Sequence, residues 1–281
     1  MTTAARPLAG KIAIVAGASR GIGADIATYL ARAGAGVVIA ARSEQVRDPR
    51  WPATIYTVAK EIEDEGNAAF PVRLNLREPE SILECVERSV QHFGRLDILV
   101  NNAAVQARGN IETMDPRYLS TMWEVNVRGP ILMCRAALPH LRQAGGGHII
   151  NISSRGAIGP GPGPYNGPHA AGTAYGATKA AVERFTQGLA SEVWQDGVSV
   201  NALSPHRPIW TEGGHYFRAQ EGKPAYSGWR MAGDIFGDAV VTICTLPAGF
   251  FTGNILFDEL VMMNQAGLAE AEIMRRYPVE S

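Results

Sequence analysis

The sequence predicts an α/β fold in which a parallel sheet of about seven strands carries helices on both faces. Short apolar runs alternate with helical patterns through roughly the first two hundred residues, as in chains of βαβ units. The first run, 12–16, leads into a glycine-rich turn that opens a helix, which is typical of a Rossmann-type, doubly wound sheet. No repeat or change in composition divides the chain, so a single domain over residues 1–281 is expected. The remaining strands are expected at 36–40, 69–74, 96–100, 148–152, 198–202 and within 249–262.

Composition limits the possible classes of function. The 281 residues are 46% hydrophobic with a formal net charge of −1, a soluble globular profile that argues against nucleic acid or an anionic membrane as the main partner. No signal-peptide core, bilayer-length apolar run or common C-terminal address signal is found, so a cytoplasmic protein is expected. Cys85, Cys134 and Cys244 lack metal-ligand spacing, which predicts core residues in a reducing compartment and no metal site.

The glycine turn predicts a phosphate-binding site. Gly17, Gly21 and Gly23 stand between an apolar strand and a helix with apolar residues at helical spacing. Glycines let the backbone turn tightly and approach a ligand closely. The first N–H groups of the new helix, at the positive end of its dipole, then face a phosphate. An ordinary βα turn that needs glycine is the alternative, and the strand–turn–helix context favours the phosphate site.

The end of the second strand bears on the choice between NAD and NADP. NAD-binding folds place an acidic residue here to bind the ribose hydroxyls. This chain has Arg42 instead, with Arg20 in the glycine turn. Two guanidinium groups suit a 2′-phosphate, so NADP(H) is favoured over NAD(H). Two solvated surface arginines are the alternative, and Glu44 is close enough in sequence to keep NAD(H) open.

Three side chains after the fifth strand form a candidate catalytic set. Ser154 follows that strand, and Tyr175 and Lys179 stand four residues apart, which places both on one face of a helix. A tyrosine hydroxyl titrates near pH ~10 unaided. A nearby ammonium is expected to lower that pKa, so that the phenol serves as a general acid or base. The serine hydroxyl would hold the substrate oxygen. A chance pairing on a surface helix is the alternative.

These motifs resemble the short-chain dehydrogenase/reductase family. AGASRGIG resembles its cofactor loop TGxxxGIG, NNAA at 101–104 resembles its NNAG turn, and Tyr175-x-x-x-Lys179 matches its catalytic pair. DPRWPATIYTVAKEIEDEGNAAFPV and the FDEL near the last strand resemble the hydroxysteroid dehydrogenase-like subgroup, and the resemblance spans nearly the whole chain. The departures from the usual Thr, Asp, Gly and Gly of the family are Ala16, Asn75, Ala104 and His206.

The resemblance implies a role for each matched residue. Tyr175 is the general acid/base, Ser154 orients the substrate, and Lys179 lowers the tyrosine pKa and holds the ribose. Asn126, mid-helix in EVNVRG, interrupts helix bonding and holds a water of the proton relay; a satisfied, half-buried polar residue is the alternative. The Ile209 backbone meets the carboxamide. The implied cofactor contacts are Gly17, Ser19, Arg20, Gly21, Ile22, Gly23, Arg42, Asn75, Leu76, Asn102, Ala103, Tyr175, Lys179, Pro205, Ile209 and Thr211.

Two long loops are expected on the substrate side. The loop 155–174 is rich in proline and glycine, which excludes a regular helix, and both its ends reach catalytic residues. Its Tyr165 is a rival to Tyr175, but His169 rather than lysine stands four residues on; these two either touch substrate or lie on a plain surface loop. The loop 206–232 predicts either a mobile lid or ordinary packing. Its aromatic residues are Tyr216, Phe217, Tyr226 and Trp229.

The sequence therefore predicts an NADP-dependent alcohol dehydrogenase or carbonyl reductase acting on an apolar small molecule. The alternative is a non-catalytic Rossmann protein that senses the NAD(P) redox state, and the presence of both Tyr175 and Lys179 argues against it. A dehydratase or epimerase on the same fold has no supporting feature. The resemblance also implies a homo-oligomer, a tetramer or dimer, formed through the helices that hold Asn126 and Tyr175. The lipid-carrier domain of some subgroup members is expected to be absent.

Overall fold

Seven parallel strands form the central sheet in a computed structural model that describes residues 6–46, 48–49, 52–107, 110–165, 172–209, 211, 230 and 233–279. The strands are β1 (Ile12–Ala16), β2 (Gly36–Ala41), β3 (Ala69–Arg73), β4 (Ile98–Asn101), β5 (Gly147–Ile152), β6 (Val198–Ser204) and β7 (Ile255–Phe257). Their order across the sheet is β3-β2-β1-β4-β5-β6-β7, and each neighbouring pair is parallel. The predicted doubly wound α/β fold is confirmed.

Some strand ends differ from the predicted ones by a few residues. β4 begins at Ile98 rather than at residue 96, and the Asp97 carboxylate before it accepts the Ile12 N–H at 3.0 Å. β3 ends at Arg73, one residue early. β6 continues to Ser204 because β7 pairs with its last three residues. Such ends depend on pairing partners, which local sequence does not reveal.

Helices occupy the connections between the strands and follow the last strand. They are α1 (Gly21–Arg32), α2 (Ile55–Asp64), α3 (Pro79–Phe93), α4 (Pro116–Trp123), α5 (Gly129–Gln143), α6 (Thr173–Val193), α7 (Asp234–Thr245), α8 (Asp258–Asn264) and α9 (Glu270–Arg276). A π-helical turn, Glu124–Arg128, joins α4 directly to α5. No helix in the described part of the chain is long and apolar enough to cross a membrane.

Apolar layers pack against both faces of the sheet. On one face, α1 and α7 contribute Ile26 and Phe236, and both side chains are fully buried. On the other face, α3 and α5 contribute Ile82 and Leu141. Alternate residues of β1 join the two layers, so this strand is buried on both sides. Burial on both sides explains why the strand reads as a continuous apolar run.

The strand order creates a crevice at one edge of the sheet. The chain builds outward from β1 through β2 to β3, and then returns to place β4 on the other side of β1. In open α/β sheets, ligands bind at the carboxyl ends of the strands where the order changes direction. A ligand site is therefore expected beside the residues that follow β1 and β4.

Candidate active site

A cleft of about 490 Å³ opens at the carboxyl ends of the central strands. Its walls contain all the predicted catalytic residues except Asn126 and all the predicted cofactor residues except Ile209. The topology brings these distant segments together because the carboxyl ends of parallel strands meet at one edge. Residues without a predicted role also line the cleft: Ala41, Ser43, Leu74, Ala104, Val105, Thr121, Val125, Ile152 and Ser153.

The glycines of the first turn are required by close contacts with the turn after β4. Gly17 has a φ of +86°, and a Cβ built there would lie 2.7 Å from the Ala103 Cα. A Cβ on Gly23 would lie 2.2 Å from the Gly17 carbonyl oxygen and 2.4 Å from the Asn102 Nδ2. That Asn102 amide donates to the Gly17 carbonyl oxygen at 3.0 Å. The two turns therefore hold each other, which only residues without a side chain permit.

The N-terminus of α1 faces the cleft. Arg20, the residue before the helix, has extended backbone angles, and its side chain does not cap the helix. The first turn carries no acidic side chain. Gly21 and Ile22, the first two helical residues, line the cleft wall. Uncapped N–H groups at the positive end of a helix dipole suit a phosphate.

Arginines and one acid surround the end of β2. Arg20 and Arg42 both line the cleft. Glu44, the acid that kept NAD(H) open, accepts a hydrogen bond from the Tyr56 hydroxyl at 3.3 Å and lies 3.7 Å from the Arg73 guanidinium. The Glu44 carboxylate is thus engaged by Tyr56 and Arg73. Arg20 and Arg42 therefore bring two guanidinium groups to the cleft wall near the end of β2.

Asn126 lies in the π-helical turn between α4 and α5, so helix bonding is interrupted where the resemblance implied. The side chain is only 1% exposed. Its Oδ1 accepts the Val105 N–H at 2.7 Å, and its Nδ2 donates to the Val105 carbonyl oxygen at 2.8 Å and to the Thr178 hydroxyl at 3.1 Å. Asn126 therefore fixes a cleft residue and α6 from behind, as a satisfied buried polar residue, and does not line the cleft.

Ser154, Tyr175 and Lys179 meet in the cleft at the carboxyl end of β5. The Ser154 side chain is hydrogen-bonded to the Tyr175 side chain, and its Oγ also accepts the Gly156 N–H at 3.1 Å. The Lys179 Nζ lies 5.7 Å from the centre of the tyrosine ring. It donates to the Ile152 carbonyl oxygen at 2.7 Å, which holds the ammonium against the strand end.

Burial is the largest effect on the pKa values of Tyr175 and Lys179. It raises the pKa of Tyr175 to about 12, and the hydrogen bond to Ser154 opposes the rise. It lowers the pKa of Lys179 to about 8, and the charge of Glu183 opposes the fall. Burial therefore outweighs the lowering of the tyrosine pKa that was expected from Lys179, because desolvation disfavours the phenolate. At neutral pH the phenol is protonated and the lysine is mostly an ammonium.

The segment after β6 forms the far wall of the cleft. Pro205 and Thr211 line it, whereas Ile209 is buried in the apolar core and pairs with Arg230 in an isolated β-bridge. The ring of His206, which replaces the family's glycine, stacks edge-on against Phe257. This side chain points away from the cleft toward β7.

Arg230 was missed by sequence reasoning. It is 1% exposed and pairs with Glu259, an acid of the FDEL stretch that ends β7 and begins α8. A lone arginine in a loop gives no local signal. Asp258 and Glu259 do give a signal in the sequence, because they directly follow the last strand and so lie at the same sheet edge as the cleft.

The two substrate-side loops are described only in part. Tyr165 is exposed, and its hydroxyl donates to the Gly161 carbonyl oxygen at 2.7 Å rather than reaching the cleft. It is therefore not a rival to Tyr175. His169 and the aromatic residues Tyr216, Phe217, Tyr226 and Trp229 lie outside the described residues.

The cysteines have no place in the cleft. All three are buried, and burial raises the pKa of the Cys85 and Cys134 thiols to about 12. Among the described residues, no group of three or more His, Cys, Asp or Glu side chains is arranged to hold a metal ion.

Comparison with known proteins identifies the family. The sequence model of the short chain dehydrogenase family matches residues 11–221. The chain belongs to this family. It is 35% identical over 258 residues to the hydroxysteroid dehydrogenase-like protein 2 of Homo sapiens, covering 92% of this chain and 59% of that protein. The chain therefore spans little more than half the length of this relative. The resemblance inferred from the motifs is confirmed.

Solved structures agree with this assignment. A putative dehydrogenase from Xanthomonas campestris is 33% identical, with a TM-score of 0.81 and coverage of 97% of this chain and 94% of its own. A gluconate 5-dehydrogenase from Burkholderia cenocepacia, in complex with NADP and tartrate, is 28% identical with a TM-score of 0.73, covering 89% of this chain and 94% of its own.

Proposed function

We propose that this protein is an NADP-dependent alcohol dehydrogenase or carbonyl reductase that interconverts an alcohol with a ketone or aldehyde. One observation carries the proposal. Ser154, Tyr175 and Lys179 converge at the end of β5, in the same cleft as the glycine turn that follows β1. An acid/base phenol, an oxygen-binding hydroxyl and an ammonium beside a dinucleotide cleft are the groups that this chemistry requires.

The residues present fit a nicotinamide dinucleotide. The cleft is bounded by glycines whose Cβ atoms would collide with neighbouring backbone, and the open N-terminus of α1 faces it. The glycine turn would hold the pyrophosphate, and Arg20 and Arg42 the 2′-phosphate. Lys179 would bind the ribose, and the segment 205–211 the nicotinamide end. When bound, the cofactor supplies or accepts the hydride.

The preference for NADP(H) rests on charge. The end of β2 presents Arg42 where an acid would select NAD(H). The nearby Glu44 is engaged by Tyr56 and Arg73. The gluconate 5-dehydrogenase that shares the fold was solved with NADP.

The side chains divide the proton chemistry among them. The Tyr175 hydroxyl, protonated at neutral pH, donates its proton to a carbonyl oxygen in reduction and accepts it back in oxidation. The Ser154 hydroxyl holds that oxygen beside the phenol. The Lys179 ammonium lies close enough to stabilise the phenolate that forms. Asn126 holds the position of Val105 and α6 and has no direct contact with the cleft.

Apolar side chains support an apolar substrate, since Val105, Val125 and Ile152 line part of the cleft. We also propose a cytoplasmic homo-oligomer, a tetramer or dimer, built on the helices from α4 to α6. Tyr118, Trp123 and Ile131 are large apolar side chains exposed on α4 and α5. Light scattering measures the assembly directly, and a monomer would contradict this part of the proposal.

A substrate panel tests the function. Ketones, aldehydes and alcohols are screened with NADPH, NADH and their oxidised forms by cofactor absorbance. We expect turnover with apolar carbonyl compounds and a higher kcat/KM with NADPH. Tyr175→Phe is expected to keep NADPH binding and to lose turnover by on the order of 10²–10⁴-fold, because the proton donor is gone.

Tyr165→Phe is the matched control, since this exposed tyrosine lies on the same side of the sheet but outside the cleft. Its turnover should equal that of the wild type. Near-normal turnover in Tyr175→Phe contradicts the assignment. Tight NADPH binding with no turnover on any compound favours the non-catalytic redox sensor.

A further inference from the structure

A cluster of charged side chains lies behind the segment that forms the far wall of the cleft. We call it the acid–arginine cluster; its members are Arg207, Arg230, Asp258 and Glu259. Arg207 belongs to the segment after β6, and the two acids begin α8. None of the four lines the cleft. The cluster therefore bears on the site only through the segment 205–211.

The cluster holds the backbone of that segment at several points. The Asp258 Oδ1 accepts the His206 N–H at 2.7 Å and the Glu259 N–H at 2.8 Å. The Arg230 N–H donates to the Pro208 carbonyl oxygen at 3.0 Å. The bonds at His206 and Pro208 each fix a peptide unit between the cleft residues Pro205 and Thr211.

Glu259 joins the two arginines. Its Oε1 accepts from the Arg207 Nε at 2.9 Å and from the Arg230 Nη2 at 2.5 Å. Arg230 also pairs with Ile209 in a parallel bridge and with Val279 in an antiparallel one. One carboxylate thus ties the segment after β6 to residues near the C-terminal end of the chain.

The cluster is too costly to be explained by stability alone. Asp258 is 0% exposed, Arg230 1% and Glu259 8%. Among the described residues, the Arg230 Nε and Nη1 and the Asp258 Oδ2 are buried without a hydrogen-bond partner. A buried ion pair with unsatisfied atoms adds little net stability over apolar packing, and such groups are retained in some proteins because they specify one conformation. The bonds to His206 and Pro208 connect the cluster to the cleft wall.

We propose that Glu259 and Arg230 are positioning residues for the nicotinamide end of the cofactor site, which they serve by fixing the segment 205–211. The inference rests on the proposed function, because it assumes that this segment meets the nicotinamide. Neither residue lines the cleft, so both act through that segment. The adenosine end, bound by the glycine turn and the arginines near β2, should be independent of the cluster.

The test compares two ligands on the full-length chain. NADPH carries the nicotinamide end, whereas 2′-phospho-ADP-ribose has the same adenosine end without the nicotinamide ring. Glu259→Gln keeps an acceptor oxygen but removes the charge that joins the two arginines. We expect the Kd for NADPH to rise about tenfold, the effect of losing one charge-assisted bond, and the Kd for 2′-phospho-ADP-ribose to stay unchanged.

Glu272→Gln is the control, because this α9 acid pairs with an arginine at the surface, outside the cluster. Should Glu259→Gln fail to fold, Arg207→Met removes a half-exposed member of the cluster, and the same selective loss is expected. Equal losses for both ligands, or no loss for NADPH, overturn the inference. A wild-type chain that binds neither ligand overturns the proposed function, which separates the two failures.

Discussion

At the scale of single residues, burial sets the chemistry of Tyr175 and Lys179. The two side chains lie one turn apart on α6, and burial favours the neutral form of each. The Tyr175 phenol therefore keeps its proton at neutral pH. The ammonium stays charged, because Glu183, one turn further along α6, opposes the effect of burial. The Glu183 carboxylate is held in turn by the Ser153 hydroxyl at 2.6 Å.

Arg42 provides a test at the same scale. We expect Arg42→Ala to lower kcat/KM with NADPH by roughly 10–100-fold, the effect of losing a charge-assisted contact to the 2′-phosphate. With NADH, which lacks that phosphate, kcat/KM should change little. Steady-state kinetics with each cofactor measure both values. Arg275→Ala, an exposed arginine on α9, is the control. An equal fall with both cofactors would show that Arg42 has no part in the selection.

The sequence predicted that the catalytic residues share one site, but it could not predict their protonation states. The motif spacing predicted that Ser154, Tyr175 and Lys179 would meet, and the strand order brings them into one cleft. The pKa of Tyr175 depends on how deeply the phenol is buried, which spacing does not reveal. Arg230 was not found at all, because its partner Glu259 is distant in sequence and the pairing exists only in the fold.

At the scale of elements, the site is built from the junctions between strands and helices. The turn after β1 and the turn after β4 interlock through Gly17, Gly23 and Asn102. The π-helical turn between α4 and α5 directs Asn126 toward Val105 and α6. Strand and helix positions followed from periodicity. The π-helical turn did not follow from periodicity, since the apolar spacing continues from α4 into α5.

Gly23→Ala tests the interlocked turns. The added Cβ would lie 2.2 Å from the Gly17 carbonyl oxygen, so the turn must move. We expect NADPH binding to weaken at least tenfold and unfolding free energy to fall by about 1–3 kcal/mol. NADPH titration and thermal unfolding measure the two effects.

Gly188→Ala is the matched control for this substitution. Gly188 lies within α6, and its added Cβ would meet only the flexible end of Arg184, at 3.1 Å. Alanine is the better helix former, so a gain of up to ~1 kcal/mol is expected with NADPH binding unchanged. If Gly23→Ala bound NADPH like the wild type, the close packing of the two turns would not matter for the site.

At the scale of the whole molecule, two acidic side chains accept backbone N–H groups from the C-terminal third of the chain. The Asp25 Oδ2, on α1, accepts the Gly233 N–H at 3.0 Å just before α7 begins. Asp258 holds the segment after β6. Burial raises the pKa of each carboxyl from 3.8 to about 6, and the backbone hydrogen bonds oppose the rise. Ionising these two carboxyls in the folded chain therefore costs free energy, and this cost depends on pH.

The sign of this cost follows from proton binding. Between about pH 4 and pH 6 the folded chain binds more protons at Asp258 than the unfolded chain does, so its contribution to stability is full below pH 4 and is lost as the pH rises to 6. The rise in pKa corresponds to roughly 3 kcal/mol for this fully buried group.

Asp258→Asn keeps the acceptor oxygen for the two N–H groups and removes the charge. We therefore expect the unfolding free energy of the variant, relative to wild type, to increase by up to ~3 kcal/mol from pH 4 to pH 7. Urea unfolding at each pH measures it, with the exposed Asp64→Asn on α2 as control. A difference that does not vary with pH would mean that the Asp258 carboxyl has no net cost of ionisation in the folded chain.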